Sequence, residues 1–173
     1  MRTWVRAGLL AAVAAGFVAG CGPAAPEVTV TDATHATLDA AIKAHKGEVV
    51  LVDFWATWCP PCVEMFPHVV GMHRRYSARG LACISVSMDK AFAGAEVKAF
   101  LRDQKADFEN FHWKNYREPE QRKAFEENFR FVGNIPHQVL FDRTGKLVWD
   151  SASEPLGSER AFDDLIRRVL DGR

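Results

Sequence analysis

What this chain has little of narrows it first. There is no charge excess of either sign, since 22 lysines and arginines stand against 22 aspartates and glutamates, and so no electrostatic footprint for nucleic acid. Internal repeats and low-complexity tracts are absent, which leaves a single ordinary domain as the reading. Only four cysteines occur among 173 residues. One C-x-x-C is present, at Cys59 and Cys62, and neither a second one nor a closely spaced histidine pair follows, so a zinc site would have half its ligands. No metal ligand set is assigned. The uncharged apolar run from Ala7 to Gly20 is too short for a membrane-spanning helix, which needs ~20 residues.

That run has another meaning. Arg2 and Arg6 precede it and small residues close it, the pattern of a signal peptide over residues 1–20. Val18-Ala19-Gly20-Cys21 resembles a bacterial lipobox, which implies acylation of Cys21 and anchoring by several chains where one would be marginal. An ordinary secretory signal with a coincidental cysteine is the plainer alternative. The expected organisation is a leader at 1–20, a lipidated tether at 21–27 and a folded domain at 28–173. The expected location is extracytoplasmic, in the periplasm, lipid-anchored to a bacterial membrane. Loss of the leader leaves 20 basic against 22 acidic residues. About 150 residues remain, enough for one sizeable core.

The centre of the chain is the stretch from Val49 to Cys62. Val49-Val50-Leu51-Val52-Asp53-Phe54-Trp55 is a continuous apolar run broken by one carboxylate, which suits a strand covered on both faces. Pro60 and Pro61 lack N–H donors, and the start of a helix is where such donors would be unpaired anyway. Cys59 therefore falls at a helix N-terminus, where unpaired amides and the helix dipole favour a thiolate. Two intervening residues let Cys62 close a small disulfide ring. Such a pair attacks a foreign disulfide through Cys59 and resolves the mixed disulfide through Cys62.

Along the rest of the chain, Val28 to Thr31 reads as a short strand, and Leu38, Ala41, Ile42 and His45 have helical spacing before Gly47. The helix opened by Cys59 is expected to reach about Ala78, bent by Pro67. Leu81 to Ser87 is an apolar strand in which Cys83 reads as a small core hydrophobe. Glu96 to Lys105 reads as a helix facing inward through Val97, Phe100 and Leu101. Phe108, Phe111, Trp113 and Tyr116 then form an aromatic segment, followed by a helix opened by Pro119 and carrying Phe125 and Phe129; the whole is read as core filling around an insertion in preference to a partner platform. Two short strands at His137 to Phe141 and Lys146 to Asp150 make a hairpin, and a last helix is capped by Ser158.

Val52-Asp53-Phe54-Trp55-Ala56, Trp58 before the first cysteine and Ile135-Pro136 far downstream together resemble the thioredoxin superfamily. The extra segment moves the resemblance to its TlpA-like branch of membrane-tethered thiol-disulfide oxidoreductases, over most of the chain from Val28 onward. The implied fold is α/β, a central mixed sheet flanked by helices, with an α/β insertion between the βαβ and ββα halves. The resemblance implies a cis-proline loop at Gly133-Asn134-Ile135-Pro136 facing Cys59, and an acid at Asp53 that assists Cys62. A buried carboxylate has a raised pKa and can exchange a proton with a thiol near neutral pH. Thioredoxin's lysine partner for that acid has no counterpart, and Ser85 stands in its place. Trp58, Pro60, Pro61, Ile135 and Pro136 are the expected substrate contacts, with the backbone of Ile135 pairing in strand fashion. His137 either tunes Cys59 or points away from it.

The expected function is thiol-disulfide exchange on extracytoplasmic proteins, in the reducing direction. No cofactor is expected beyond the Cys59–Cys62 disulfide itself, and the partners are protein thiols and disulfides, a membrane electron donor and the membrane. Pro136-His137-Gln138 departs from the Pro-Glu-Thr common in the branch serving cytochrome c assembly, so that substrate is not expected. Two rivals remain. A copper metallochaperone of this fold would use two thiolates on a soft metal, but its relatives place three residues between the cysteines. A thiol peroxidase would want threonine three residues before Cys59, where Ala56 stands.

Overall fold

The computed structural model describes residues 27–116 and 118–172. The proposed leader and Cys21 lie outside the described residues. The chain runs β1 (Thr31–Asp32), α1 (His35–Ala44), β2 (Val49–Trp55), α2 (Pro60–Tyr76), β3 (Leu81–Ser87), α3 (Gly94–Gln104), β4 (Glu109–His112), α4 (Pro119–Phe129), β5 (His137–Phe141), β6 (Leu147–Asp150) and α5 (Glu159–Leu170).

One six-stranded sheet holds them, in the order β1-β4-β3-β2-β5-β6. The β2–β3, β3–β4 and β1–β4 pairs are parallel, and β2–β5 and β5–β6 antiparallel. The mixed sheet flanked by helices agrees with the expected fold class. The crossovers β2-α2-β3 and β3-α3-β4 step one way across the sheet and β1-α1-β2 the other, so right-handed connections put their helices on opposite faces. Leu38 and Ile42 of α1 and Phe125 and Phe129 of α4 accordingly pack with Val50, Val52 and Phe54. Val69, Met72 and Tyr76 of α2 pack with Val49 and Leu51 on the other face, together with Phe162 and Ile166 of α5. Every residue of β2 is buried, as a continuous apolar run between two helix layers requires.

The insertion is part of this sheet. Its strand β4 sits between β3 and β1, and its aromatics close over Phe54: Trp113 stacks on Phe125 at 3.5 Å between centroids, and Phe54 lies within 6.0 Å of Phe125, Phe129 and Phe131. Core filling is what the segment does. Several boundaries differ from the sequence reading: α3 starts at Gly94 and ends at Gln104, β6 starts at Leu147, and two further shifts have a visible cause. β1 begins at Thr31, because Thr31 and Asp32 pair with Phe111 and His112, while Val28 is buried by a different cluster. α2 ends at Tyr76 and tightens into a 3₁₀ turn over Ser77–Arg79, closed by Gly80 at φ 87°, a left-handed conformation that glycine adopts without penalty.

Candidate active site

Cys59 is the N-cap of α2: its backbone is extended, and its sulfur accepts a hydrogen bond from the Cys62 amide at 3.3 Å. Pro60 and Pro61 occupy the first helical positions, where a missing N–H costs nothing. The helix thus starts one residue after Cys59. The two sulfurs are joined as a disulfide. Both cysteines are buried, whereas Trp58 beside them is 59% exposed and Pro60 and Pro61 are exposed. Val63 donates to the Cys59 carbonyl at 3.0 Å, closing the first turn.

The expected cis peptide is present at Ile135–Pro136. Ile135 packs against the cluster that contains Cys59, Cys62 and Phe66, which brings this loop to the disulfide. His137 follows it and points elsewhere. Its ring lies against Phe54 and Phe131, its Nε2 meets the Phe129 carbonyl at 2.9 Å, and it is buried. Burial holds its pKa below the ordinary value. Of the two alternatives, His137 takes the one away from Cys59, on the opposite face of the sheet from Asp53.

Asp53 is 3% exposed. Its neighbours at alternate positions, Leu51 and Trp55, pack against α2 residues, so the carboxylate is on the face that carries the disulfide. Burial pushes its pKa up to about 7, against the pull of a hydrogen bond from Gln138. That bond, Gln138 Nε2 to Asp53 Oδ1, is 2.9 Å long and follows from the β2–β5 register, which sets the two residues opposite each other. Ser85, opposite Asp53 on β3, donates instead to Asn110 Oδ1 at 2.7 Å. Cys83 is a free, buried thiol whose pKa is driven up by burial and by the Asp53 charge.

Two groups escaped the sequence reading. Asp89, just past β3, accepts from the Thr57 amide at 3.0 Å, the Thr57 hydroxyl at 2.6 Å and the Ser87 hydroxyl at 2.8 Å. It ties the loop that ends in Cys59 to the exit of the neighbouring strand. Its sequence signal was a carboxylate following an apolar strand whose C-terminal end adjoins that of β2. Gln138 is the other, visible only through register. A groove of about 370 Å³ opens beside it, walled by Met65 of α2, Pro136, Trp149, Leu156 and Phe162. Among the described residues no group of three or more histidine, cysteine or carboxylate side chains is placed to hold a metal ion, and no helix is long and apolar enough to cross a membrane.

A disulfide spanning the first turn of a helix exchanges two electrons with other thiols when opened, and here it stands on the central strand of a thioredoxin-type sheet. The class defined is a thiol-disulfide oxidoreductase of the thioredoxin fold. The chain belongs to the AhpC/TSA family, whose family model matches residues 21–150. It is similar to the thiol-disulfide oxidoreductase ResA of Bacillus thuringiensis subsp. konkukian, 30% identical over 150 residues, covering 86% of this chain and 78% of the relative. Against another ResA, from Bacillus cereus, it spans 66% of the relative's length. Protein DipZ of Mycobacterium tuberculosis is 49% identical over 139 residues, 75% of this chain but 18% of that protein. Among solved structures, a thiol:disulfide interchange protein of the thioredoxin family from Chlorobium tepidum superposes with a TM-score of 0.61 at 23% identity, covering 74% of this chain and 83% of that one, a likeness of fold.

Proposed function

We propose that this protein reduces disulfides in proteins outside the cytoplasm, with Cys59 as the attacking thiol and Cys62 as the resolving one. The observation that carries the reading is the placement of Cys59 as the N-cap of α2, its sulfur receiving an amide hydrogen bond. An anionic sulfur gains most from that donor and from the positive end of the helix. In the reduced protein the Cys59 thiolate attacks one sulfur of the substrate disulfide; a Cys59–substrate bond forms, and the other substrate sulfur leaves and takes up a proton. Cys62 then gives its proton to the Asp53 carboxylate and attacks Cys59 Sγ. The Cys59–Cys62 bond forms, the second substrate thiol leaves, and two electrons have passed to the substrate. A dithiol donor must reopen the disulfide, and a membrane protein is the donor that fits an anchored enzyme.

Trp58, Pro60, Pro61, Ile135 and Pro136 make the substrate surface in this reading, with the Ile135 backbone adding to the bound chain as a strand does. No cofactor other than the disulfide is required. The Val18-Ala19-Gly20-Cys21 sequence supports lipid attachment at Cys21. Direction rests on Pro60-Pro61, which adds no cation beside the thiols, and on Asp53, whose charge opposes a second anion. Both disfavour a very stable thiolate, so the potential belongs near that of thioredoxin, about −270 mV, and far from that of a strong oxidant near −120 mV.

The Cys62→Ser variant tests the scheme, since it stalls at the mixed disulfide. Expected is a covalent adduct to proteins outside the cytoplasm, released by dithiothreitol and absent from Cys59→Ser. Trapping through Cys62 alone would reverse the assignment.

A further inference from the structure

Asp53 needs an arrangement as well as a pKa. Its Oδ1 is held by Gln138 Nε2 at 2.9 Å, and among the described residues no hydrogen bond is made to Oδ2. Gln138 is itself 3% exposed and fixed by its own backbone, whose amide donates to Ser151 Oγ at 2.9 Å and whose carbonyl accepts from the Ser151 amide at 2.9 Å. It also lines the groove beside Pro136.

We propose that Gln138 is a positioning residue for the resolving half-reaction, its amide locking Oδ1 of Asp53 so that Oδ2 is the oxygen presented to the Cys62 thiol. This rests on the role given above to Asp53. A carboxylate in a buried site turns freely about its terminal bond unless one oxygen is bound, and Gln138 removes that freedom from the β5 side. The amide N–H donates, so it also favours the ionised carboxylate, the form that accepts a proton. Burial works the other way and is the larger effect. Gln138 therefore keeps a deeply buried acid ionisable near neutral pH where a lysine would do so by charge. Titratable groups on the same face of the sheet include Cys59, the N-cap of α2, Cys62 in its first turn, and Cys83 from β3. The last is influenced by the Asp53 charge and held protonated by its burial. His137 on β5 is on the other face, and His68 of α2, at the groove, is engaged by Glu159 at 2.8 Å.

The electron count of the reaction is unchanged by this residue; the proton leaves Cys62 for Asp53 and passes to solvent in the next cycle. Mixing the reduced full chain with the aromatic disulfide dithiobis-nitrobenzoate releases one coloured thiolate when Cys59 attacks and a second when Cys62 resolves. Followed against pH, the second phase of the wild-type protein is expected to rise through a midpoint near that of Asp53. Gln138→Met keeps the length of the side chain and removes the donor. Its midpoint is expected to move up by on the order of one pH unit, the effect of losing a hydrogen bond to a charged group, with the first phase unaltered. Asp53→Asn is expected to abolish the near-neutral limb, leaving only the alkaline rise from ionisation of the Cys62 thiol itself. A Gln138→Met midpoint equal to wild type, with Asp53→Asn abolishing the limb, overturns the role of Gln138 alone. A near-neutral limb that survives in Asp53→Asn overturns the role of Asp53 and this proposal with it. Should Gln138→Met fail to fold, the side-chain amide resonance of Gln138 in the reduced wild-type protein gives the answer. It is expected to shift with the Asp53 titration, and a constant position from about pH 5 to 9 would refute the contact.

Discussion

At the scale of single residues, the buried carboxylate has a thermodynamic signature separate from catalysis. The Asp53 pKa is raised from 3.8 to about 7 by burial, so between those values the native protein binds a proton that the unfolded chain has lost. Stability then falls as pH rises across that window, because the slope follows protons bound by the unfolded minus the native state. Full ionisation costs about 4 kcal/mol, from ~1.4 kcal/mol for each pH unit of displacement. Asp53→Asn carries no such penalty. Thermal unfolding of the two proteins from pH 4 to 9 should show similar midpoints at the acid end and a clear advantage for Asp53→Asn at the alkaline end. Parallel curves would mean that the carboxylate is solvated. Cys83 shows the opposite use of burial, since a thiol held protonated inside β3 takes no part in exchange.

Secondary-structure elements place the sulfurs. α2 begins at Pro60, with Cys59 as its N-cap, because the prolines at Pro60 and Pro61 can only start a helix, and the loop that precedes it is held by Asp89. Removing that carboxylate as Asp89→Ala leaves the Thr57 amide and hydroxyl and the Ser87 hydroxyl without the acceptor they share. The expected loss is about 2–4 kcal/mol of stability in denaturant unfolding, with a changed rate of Cys59 alkylation. Asp89→Asn keeps one acceptor oxygen and should fall between. An alkylation rate identical to wild type in Asp89→Ala would show that the clamp serves the fold without tuning the sulfur.

For the whole molecule, the aromatic insertion and the redox half share one core. Phe125, Phe129 and Phe131 of the inserted segment surround Phe54 of the strand that leads to Cys59, and Trp113 packs on Phe125 and Phe131 in the same core. Phe125→Ala would empty a fully buried site stacked on Trp113, at about 3–5 kcal/mol. Near-ultraviolet and far-ultraviolet circular dichroism should then lose their signals in a single transition at a lowered midpoint. Two separate transitions would mean that the insertion folds on its own.

The sequence by itself determined the central strand and the helix start just after Cys59, because each is set by local chemistry: an unbroken apolar run, and prolines that fit only a first turn. The proline loop was legible through the resemblance of Gly133-Asn134-Ile135-Pro136 to that of the thioredoxin superfamily. The core role of the aromatics was also legible, though not what they surround. Only the tertiary structure decided the rest. β4 inserts between β1 and β3, Gln138 meets Asp53 across 85 positions of sequence, Asp89 reaches back to Thr57, and His137 turns from the site. All four depend on strand order and register. A shift of one residue in β5 would exchange His137 and Gln138 between the two faces of the sheet, and nothing in the local sequence specifies which of them faces the acid.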